Sequence, residues 1–438
     1  LVNTTGDDIT ATSLDASAMT SAATLFLSGN TGTVSTGAAG DSITLEAVRA
    51  AGYNITTNAG SDTVNMGAID TSITFNGGDG TDTLTLVSSL DLSGQTFALT
   101  SVEVVDIDLS VDAASTLTVD SAQVTGKTFS VIATEGTTND ILDVTVTGAT
   151  VDLSGIAVET DDVTVTVDGT AFTTAVSTTV TGTNGVDTIN INGGVGSTAN
   201  GGGSGDNITG GAGADTINGD GGGDTLVGAG GADTITGGAG ADTITAGNGA
   251  DTINLAETTA ARDIVVTTSG LTAKDTINDF AAGSAATTDE VDIDISDVTA
   301  LATQLVNLDD TANHAGIAGN AITSTVTGAF DADNLTANTD ILILGGALTF
   351  SSSAALADAL EDGGTAEFTL GGAAVVGDVF MVLYSDGTNT HLSAVEALGA
   401  GADNGTFSAG ELLANDILTF SGIADASDFA ATNFDFIA

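Results

Sequence analysis

In 438 residues the chain has no Cys, Pro or Trp, and 58 Asp plus Glu stand against four Lys plus Arg, a formal net charge of -54. That excess excludes direct binding to nucleic acid or anionic membranes, which repel it, and points to divalent cations as partners. The lack of Cys excludes disulfides and thiolate chemistry. With 41 % hydrophobic and 14 % charged residues the chain is expected to fold, with a surface of Thr, Ser, Asn and Gly and about two to four modules.

No window reaches the roughly 18 to 20 apolar residues of a membrane-spanning helix. The sequence opens on Leu1 without Met or a basic segment leading into an apolar run. A Sec-type signal peptide is therefore not read there, and the chain is expected to be processed, truncated at its start or exported by a signal elsewhere.

Residues 1–183 are predicted as an N-terminal Thr/Val-rich β domain. Period-two stretches at Thr83–Leu86, Val102–Leu109, Thr116–Val119 and Val163–Val167 read as strands between Gly, Asn and Asp turns. Asp41, Asp62 and Asp82 each precede such a strand at intervals of 21 and 20 residues, which predicts a right-handed β-solenoid or layered sheet with a long rung. A short helix is predicted over Ser42–Ala51.

Residues 184–256 hold the strongest pattern. From Gly201 run six consecutive nonapeptides, GGGSGDNIT, GGAGADTIN, GDGGGDTLV, GAGGADTIT, GGAGADTIT and AGNGADTIN. Aspartate recurs at Asp206, Asp215, Asp224, Asp233, Asp242 and Asp251, and an aliphatic residue two positions later at Ile208, Ile217, Leu226, Ile235, Ile244 and Ile253. A flexible Gly-rich linker has no reason to keep two series in phase. Upstream, Asp187 lies nineteen residues before Asp206, one out of phase, and Ser197 takes an aspartate position, so 184–200 reads as an imperfect leading coil that caps the repeat.

This pattern resembles the glycine-rich nonapeptide of the RTX family, G-G-x-G-x-D-x-U-x with U aliphatic. The resemblance implies a calcium-binding parallel β-roll. Ca²⁺ takes six to eight oxygens, glycine permits the turns that direct carbonyls inward, and the x-U-x triplet is a short strand with one buried residue. The implied ligands are the six aspartates with loop carbonyls of Gly201, Gly203, Gly210, Ala212, Gly219, Gly221, Gly228, Gly230, Gly237 and Ala239. One nonapeptide makes half a coil, so Asp206, Asp224 and Asp242 should line one edge and Asp215, Asp233 and Asp251 the other, with about four complete sites. Gly77–Thr85 matches the same nonapeptide, which adds Asp82 and Asp62 as candidates, and Asp187 joins them from the leading coil. The ions are expected to be folding staples, bound where external calcium is millimolar.

Residues 257–438 are predicted as a C-terminal β domain. Lys274–Phe280 and Asp289–Asp294 resemble the segment that follows the roll in secreted serralysin-type proteins and RTX surface proteins, and add Asp275, Asp279 and Asp292 as candidate ligands. Helices are predicted over Asp297–Leu308, with Leu301, Leu305 and Leu308 on one face, and over Ser353–Glu361, halted by Gly363-Gly364. Val379–Leu392 reads as a hairpin about an Asp-Gly turn and resembles one near the C-termini of RTX proteins. Asn404–Glu411 resembles half an EF-hand loop, but Ala400 and Ala402 stand where the first acidic ligands belong, so it is read as a loop. Asn433–Ala438 resembles the uncleaved C-terminal signal of type I secretion substrates.

No catalytic role is expected. His314 and His391 stand alone, without H-E-x-x-H, and no G-x-S-x-G elbow is present. Only Lys127 and Lys274 are available to an acylated cytolysin. The style of the sequence resembles RTX surface-layer proteins of Gram-negative bacteria, which implies a secreted, calcium-dependent, self-assembling structural subunit of a cell-surface array. An RTX adhesin or matrix-binding protein, and the non-catalytic part of a larger secreted RTX enzyme, are the alternatives. Expected partners are further copies of the chain bridged by calcium, and cell-surface polysaccharide; neither nucleic acid nor membrane insertion is expected.

Overall fold

The computed structural model describes residues 12–27, 32–45, 52–66, 71–86, 88–107, 114–133, 140–159, 163–169, 177–191, 195–257, 259–267, 274–282, 287–294, 319–320, 323–326, 330–331, 341–344, 348–360, 368–369, 379–398, 412–430 and 433–437. The chain divides into two compact units, residues 1–209 and 210–438. Both are built on parallel strands, as an all-β roll or solenoid requires.

In the first unit, Thr24–Leu27, Ser42–Leu45, Thr63–Met66, Thr83–Leu86, Val104–Asp106, Phe129–Ile132 and Ile156–Val158 hydrogen-bond in that order in one sheet. A second sheet takes Ser13–Asp15, Thr33–Ser35, Tyr53–Thr56, Ile73–Asn76 and Phe97–Thr100. Strands consecutive in sequence mostly alternate between sheets, which is solenoid topology. The rung is long: Ser42 pairs with Thr63, and Thr63 with Thr83.

The alternation of Thr with aliphatics explains the stacking. Val64, Met66, Leu84 and Leu86 point inward and are buried, while Thr63 and Thr83 are partly exposed. Each buried aliphatic contributes about 1.5–3 kcal/mol, and β-branched Thr suits the outer face. Further along, Thr116–Asp120, Asp140–Thr145, Val163–Asp168 and Asp187–Asn190 continue the parallel pairing. Thr150–Asp152, Thr179–Thr181 and Thr198–Gly203 form another ladder.

Two sequence expectations change here. Of the helix read over Ser42–Ala51, Ser42–Leu45 is a strand, because Ile43 and Leu45 alternate into the core and the pairing on both sides overrides local helix propensity, and 46–51 lie outside the described residues. Of the strand read over Val102–Leu109, Val104–Asp106 is strand and Val102, Glu103 and Ile107 are not, while 108–109 lie outside the described residues.

In the second unit, Thr216–Gly221, Thr234–Ala239, Thr252–Asn254 and Asp275–Asn278 stack in one ladder, and Thr225–Gly230, Thr243–Asn248, Ile264–Thr267 and Glu290–Asp294 in another. Thr216 pairs with Thr234 and Thr225 with Thr243, so two nonapeptides make one coil. Asp275–Asn278 then pairs in parallel with Leu412–Ser421, which joins Thr390–Ala397 and Val379–Ser385 as antiparallel neighbours.

The predicted hairpin is therefore present, turning at Asp386-Gly387. The helix Ser353–Leu360 buries Leu356 and Leu360 with Phe350, Val382, Tyr384 and Val395. Phe280 and Phe434, from two motifs far apart in sequence, meet in one aromatic cluster with Phe420 and Phe429. The helix read over 297–308 and the loop read over 404–411 lie outside the described residues, as does His314.

Candidate metal centre

The aspartates that open the short strands form a ladder of their own. In the second unit the backbone N–H of Asp215 donates to Oδ1 of Asp233 at 2.7 Å, that of Asp233 to Asp251 at 2.8 Å, and that of Asp251 to Asp275 at 3.0 Å. On the other edge Asp224 donates to Asp242 at 2.8 Å, Asp242 to Asp263 at 2.9 Å, and Asp263 to Asp289 at 3.1 Å. Asp215, Asp233 and Asp251 in one column and Asp224 and Asp242 in the other follow the spacing of half a coil per nonapeptide. In the first unit Asp187 donates to Asp206 at 2.8 Å, so the extra residue between them is absorbed in the turn without breaking the ladder.

Each aspartate thus spends one oxygen on the coil before it. The second, Oδ2, accepts no hydrogen bond at Asp233, Asp242, Asp251 or Asp263, although each of these residues is only 1 % exposed. A buried carboxylate oxygen without a donor is costly. Burial pushes Asp233 and Asp242 up to about 6, with repulsion from Asp251 and Asp215 for the first and from Asp224 and Glu257 for the second. Burial likewise raises Asp251. These columns are short of positive charge.

Loop carbonyls meet the same oxygens. A Cβ added at Gly219 would overlap both Asp224 Oδ2 and the Gly237 carbonyl oxygen of the next coil, and one added at Gly228 would overlap Asp233 Oδ2 and the Ala246 carbonyl. At Gly210 the pair is Asp215 Oδ2 and the Gly228 carbonyl. Carboxylate and carbonyl oxygens of adjacent coils therefore converge beside Gly210, Gly219 and Gly228, the first glycines of three repeats. Hard oxygens, negative charge and a buried oxygen without a donor fit Ca²⁺ and fit no soft metal. The second and fourth turn positions have positive φ, 68° at Asp220 and 138° at Gly222, for example.

A family model described as the RTX calcium-binding nonapeptide repeat, in four copies, matches residues 192–226, 200–235 and 227–256. Residues 192–256 of the chain are RTX nonapeptide repeats. No curated protein and no solved structure matches it. RTX nonapeptides bind calcium, and the ion they bind is the one these oxygens fit. No helix among the described residues is long and apolar enough to cross a membrane.

The other candidates divide. Asp275 joins an RTX column, buried and accepting from Asp251. Asp279 is exposed in a turn at φ 60° and stands outside the ladder, and Asp292 lies mid-strand, partly exposed. Asp187 receives the N–H of Thr183 on Oδ2 at 2.6 Å and its hydroxyl, so its donors are supplied by its own turn; burial still pushes it up to about 7. Ser197 replaces a carboxylate with Oγ, which accepts the N–H of Thr178 at 3.1 Å.

Sequence reading missed Asp263 and Glu257. Asp263 continues the column beyond the RTX repeats, and burial with repulsion from Asp242, Asp289 and Glu257 pushes it up to about 7. The signal was the D-x-U triplet at Asp263-Ile-Val265, which recurs at Asp275, Asp289, Asp41, Asp62 and Asp82.

His391 sits in the hairpin with Nε2 3.2 Å from Asp386 Oδ2 and Nδ1 3.2 Å from Thr419 Oγ1, its ring stacked on Tyr384. Tyr384 Oη donates to Asp416 at 2.9 Å, and Lys274 Nζ lies 3.2 Å from the same carboxylate. Both rings are buried in this network.

Proposed function

We propose that the chain is a secreted, calcium-dependent structural protein that self-assembles into a bacterial surface layer or related extracellular array, exported by type I secretion, without catalytic activity. One observation carries the reading: the net charge of -54 far exceeds what six roll aspartates account for. Like-charged copies repel one another unless cations lie between them, so calcium at subunit contacts makes assembly cation-dependent. The RTX repeats support the calcium and the secretion. The parallel ladders of short strands support a structural role, since a quasi-one-dimensional stack offers repeated identical surface.

Light scattering and electron microscopy on purified protein, as calcium is raised from chelator to millimolar, test it. Ordered sheets or tubes that dissolve again in chelator are the expected result. Folding to monodisperse particles overturns the array and leaves calcium as an internal staple, as in an adhesin.

A further inference from the structure

The turns at 57–62 and 77–82, in the first unit, repeat the backbone of the RTX turns, although the RTX family model matches only within residues 192–256. Asn58 and Gly60 have φ of 67° and 121°, and Gly78 and Gly80 of 101° and 142°. The same two positions are positive in the roll, at Gly238 (108°) and Gly240 (134°).

The stacking contacts agree as well. The N–H of Gly60 donates to the Asp79 carbonyl of the next coil at 2.8 Å, as Gly222 donates to Ala239 at 2.7 Å. A Cβ at Gly78 or Gly80 would overlap the carbonyl of Asn58 or Gly60, as one at Gly238 or Gly240 would overlap that of Asp220 or Gly222.

The carboxylates follow the same rule. The N–H of Asp41 donates to Asp62 Oδ1 at 2.6 Å, and that of Asp62 to Asp82 Oδ1 at 2.8 Å. Oδ2 of Asp62 and of Asp82 accepts no hydrogen bond, with the residues 1 % and 0 % exposed. A Cβ at Gly77 would overlap Asp82 Oδ2 and the Ser101 carbonyl oxygen together, the arrangement found at Gly219 and Gly228. No Lys or Arg lies between Arg49 and Lys127.

We propose that the stacked turns 57–62 and 77–82 form a calcium site outside the nonapeptide roll, held by the carboxylates of Asp62 and Asp82 with the carbonyl oxygen of Ser101. The coil here is 20 residues rather than eighteen. Only the turn has to match for the ion to bind.

The test is the double variant Asp62→Asn with Asp82→Asn in the full chain. Asparagine Oδ1 still accepts the ladder N–H, so only charge is removed. Equilibrium dialysis against calcium chloride is expected to find one ion fewer per chain than in the parent. In chelator the variant should melt above the parent, and in millimolar calcium below it. An unchanged ion count with the variant as stable as the parent in calcium overturns the site. Should the variant fail to fold, crystals of the parent soaked in terbium chloride decide: an anomalous peak between Asp62 and Asp82 supports the site, and none there while the roll is filled overturns it.

Discussion

The N–H of Asp224 donates to Oδ1 of Asp242, one full coil further along the chain, at 2.8 Å. The bond fixes the register of two coils with one carboxylate oxygen and leaves the other buried and without a donor. A single residue type therefore supports both the stack and the ion. The two contributions separate by substitution.

Asp242→Asn keeps the ladder acceptor and removes the charge. In chelator it is expected to raise the thermal midpoint, because a buried carboxylate is replaced by a neutral amide. In calcium it is expected to lower it. Asp242→Ala also strands the Asp224 N–H, which costs a further ~1 kcal/mol in either condition. Melting curves of the three proteins with and without calcium read both terms. Equal melting of the Asn and Ala variants in chelator would remove the ladder bond from the account.

Gly219→Ala is expected to destabilise the roll by about 1–3 kcal/mol. The new methyl meets the Gly237 carbonyl oxygen and Asp224 Oδ2, and a backbone carbonyl cannot turn away without breaking its own coil. Urea titration in calcium measures the loss. Gly148→Ala, whose Cβ would meet nothing within 4 Å, is the control and should be near neutral.

The strict nine-residue phase makes the two aspartate columns legible in the amino-acid sequence alone, because side-chain direction alternates along a strand and the turns are of constant length. Beyond the repeat, legibility fails where the turn chemistry changes. Glu257-Thr-Thr-Ala-Ala-Arg262 has no glycine, so Asp263 does not read as a ladder residue although D-x-U continues. Ser42–Leu45 reads as helix because Glu46-Ala-Val-Arg-Ala-Ala51 has strong local helix propensity, and the deciding partner, Thr63–Met66, lies a coil away. The aromatic cluster joining Phe280 to Phe434 is invisible for the same reason, since no local pattern announces a contact across more than a hundred residues.

The hairpin turn offers a prediction independent of calcium. Burial opposes the charge on Asp386, yet the N–H groups of Asn389 and Thr388 and the His391 ring hold its carboxyl down at about 2. Asp386→Ala is expected to cost about 1–2 kcal/mol at neutral pH through those turn bonds. The contribution is present above the ordinary aspartate value of 3.8 and is lost as pH falls through about 2. Parent and variant compared by denaturant titration at pH 7 and near pH 2 should therefore converge in acid.

The columns behave in the opposite sense, and calcium inverts them. In chelator Asp233 and Asp242 hold protons up to about 6 and Asp263 up to about 7, against 3.8 for an ordinary aspartate. Between those values the folded chain binds more protons than the unfolded one, so stability falls as pH rises. The stabilisation from protonation is complete below about 4 and gone once pH passes about 7. Calcium competes with those protons, so its affinity should rise over the same interval. Melting in chelator and in calcium from pH 4 to 8 is expected to give two curves that diverge: the chelated midpoint declines toward neutrality while the calcium-bound midpoint climbs. Parallel curves would mean that the aspartate columns carry no linked protons, and that the ion's charge is not what the stacked carboxylates lack.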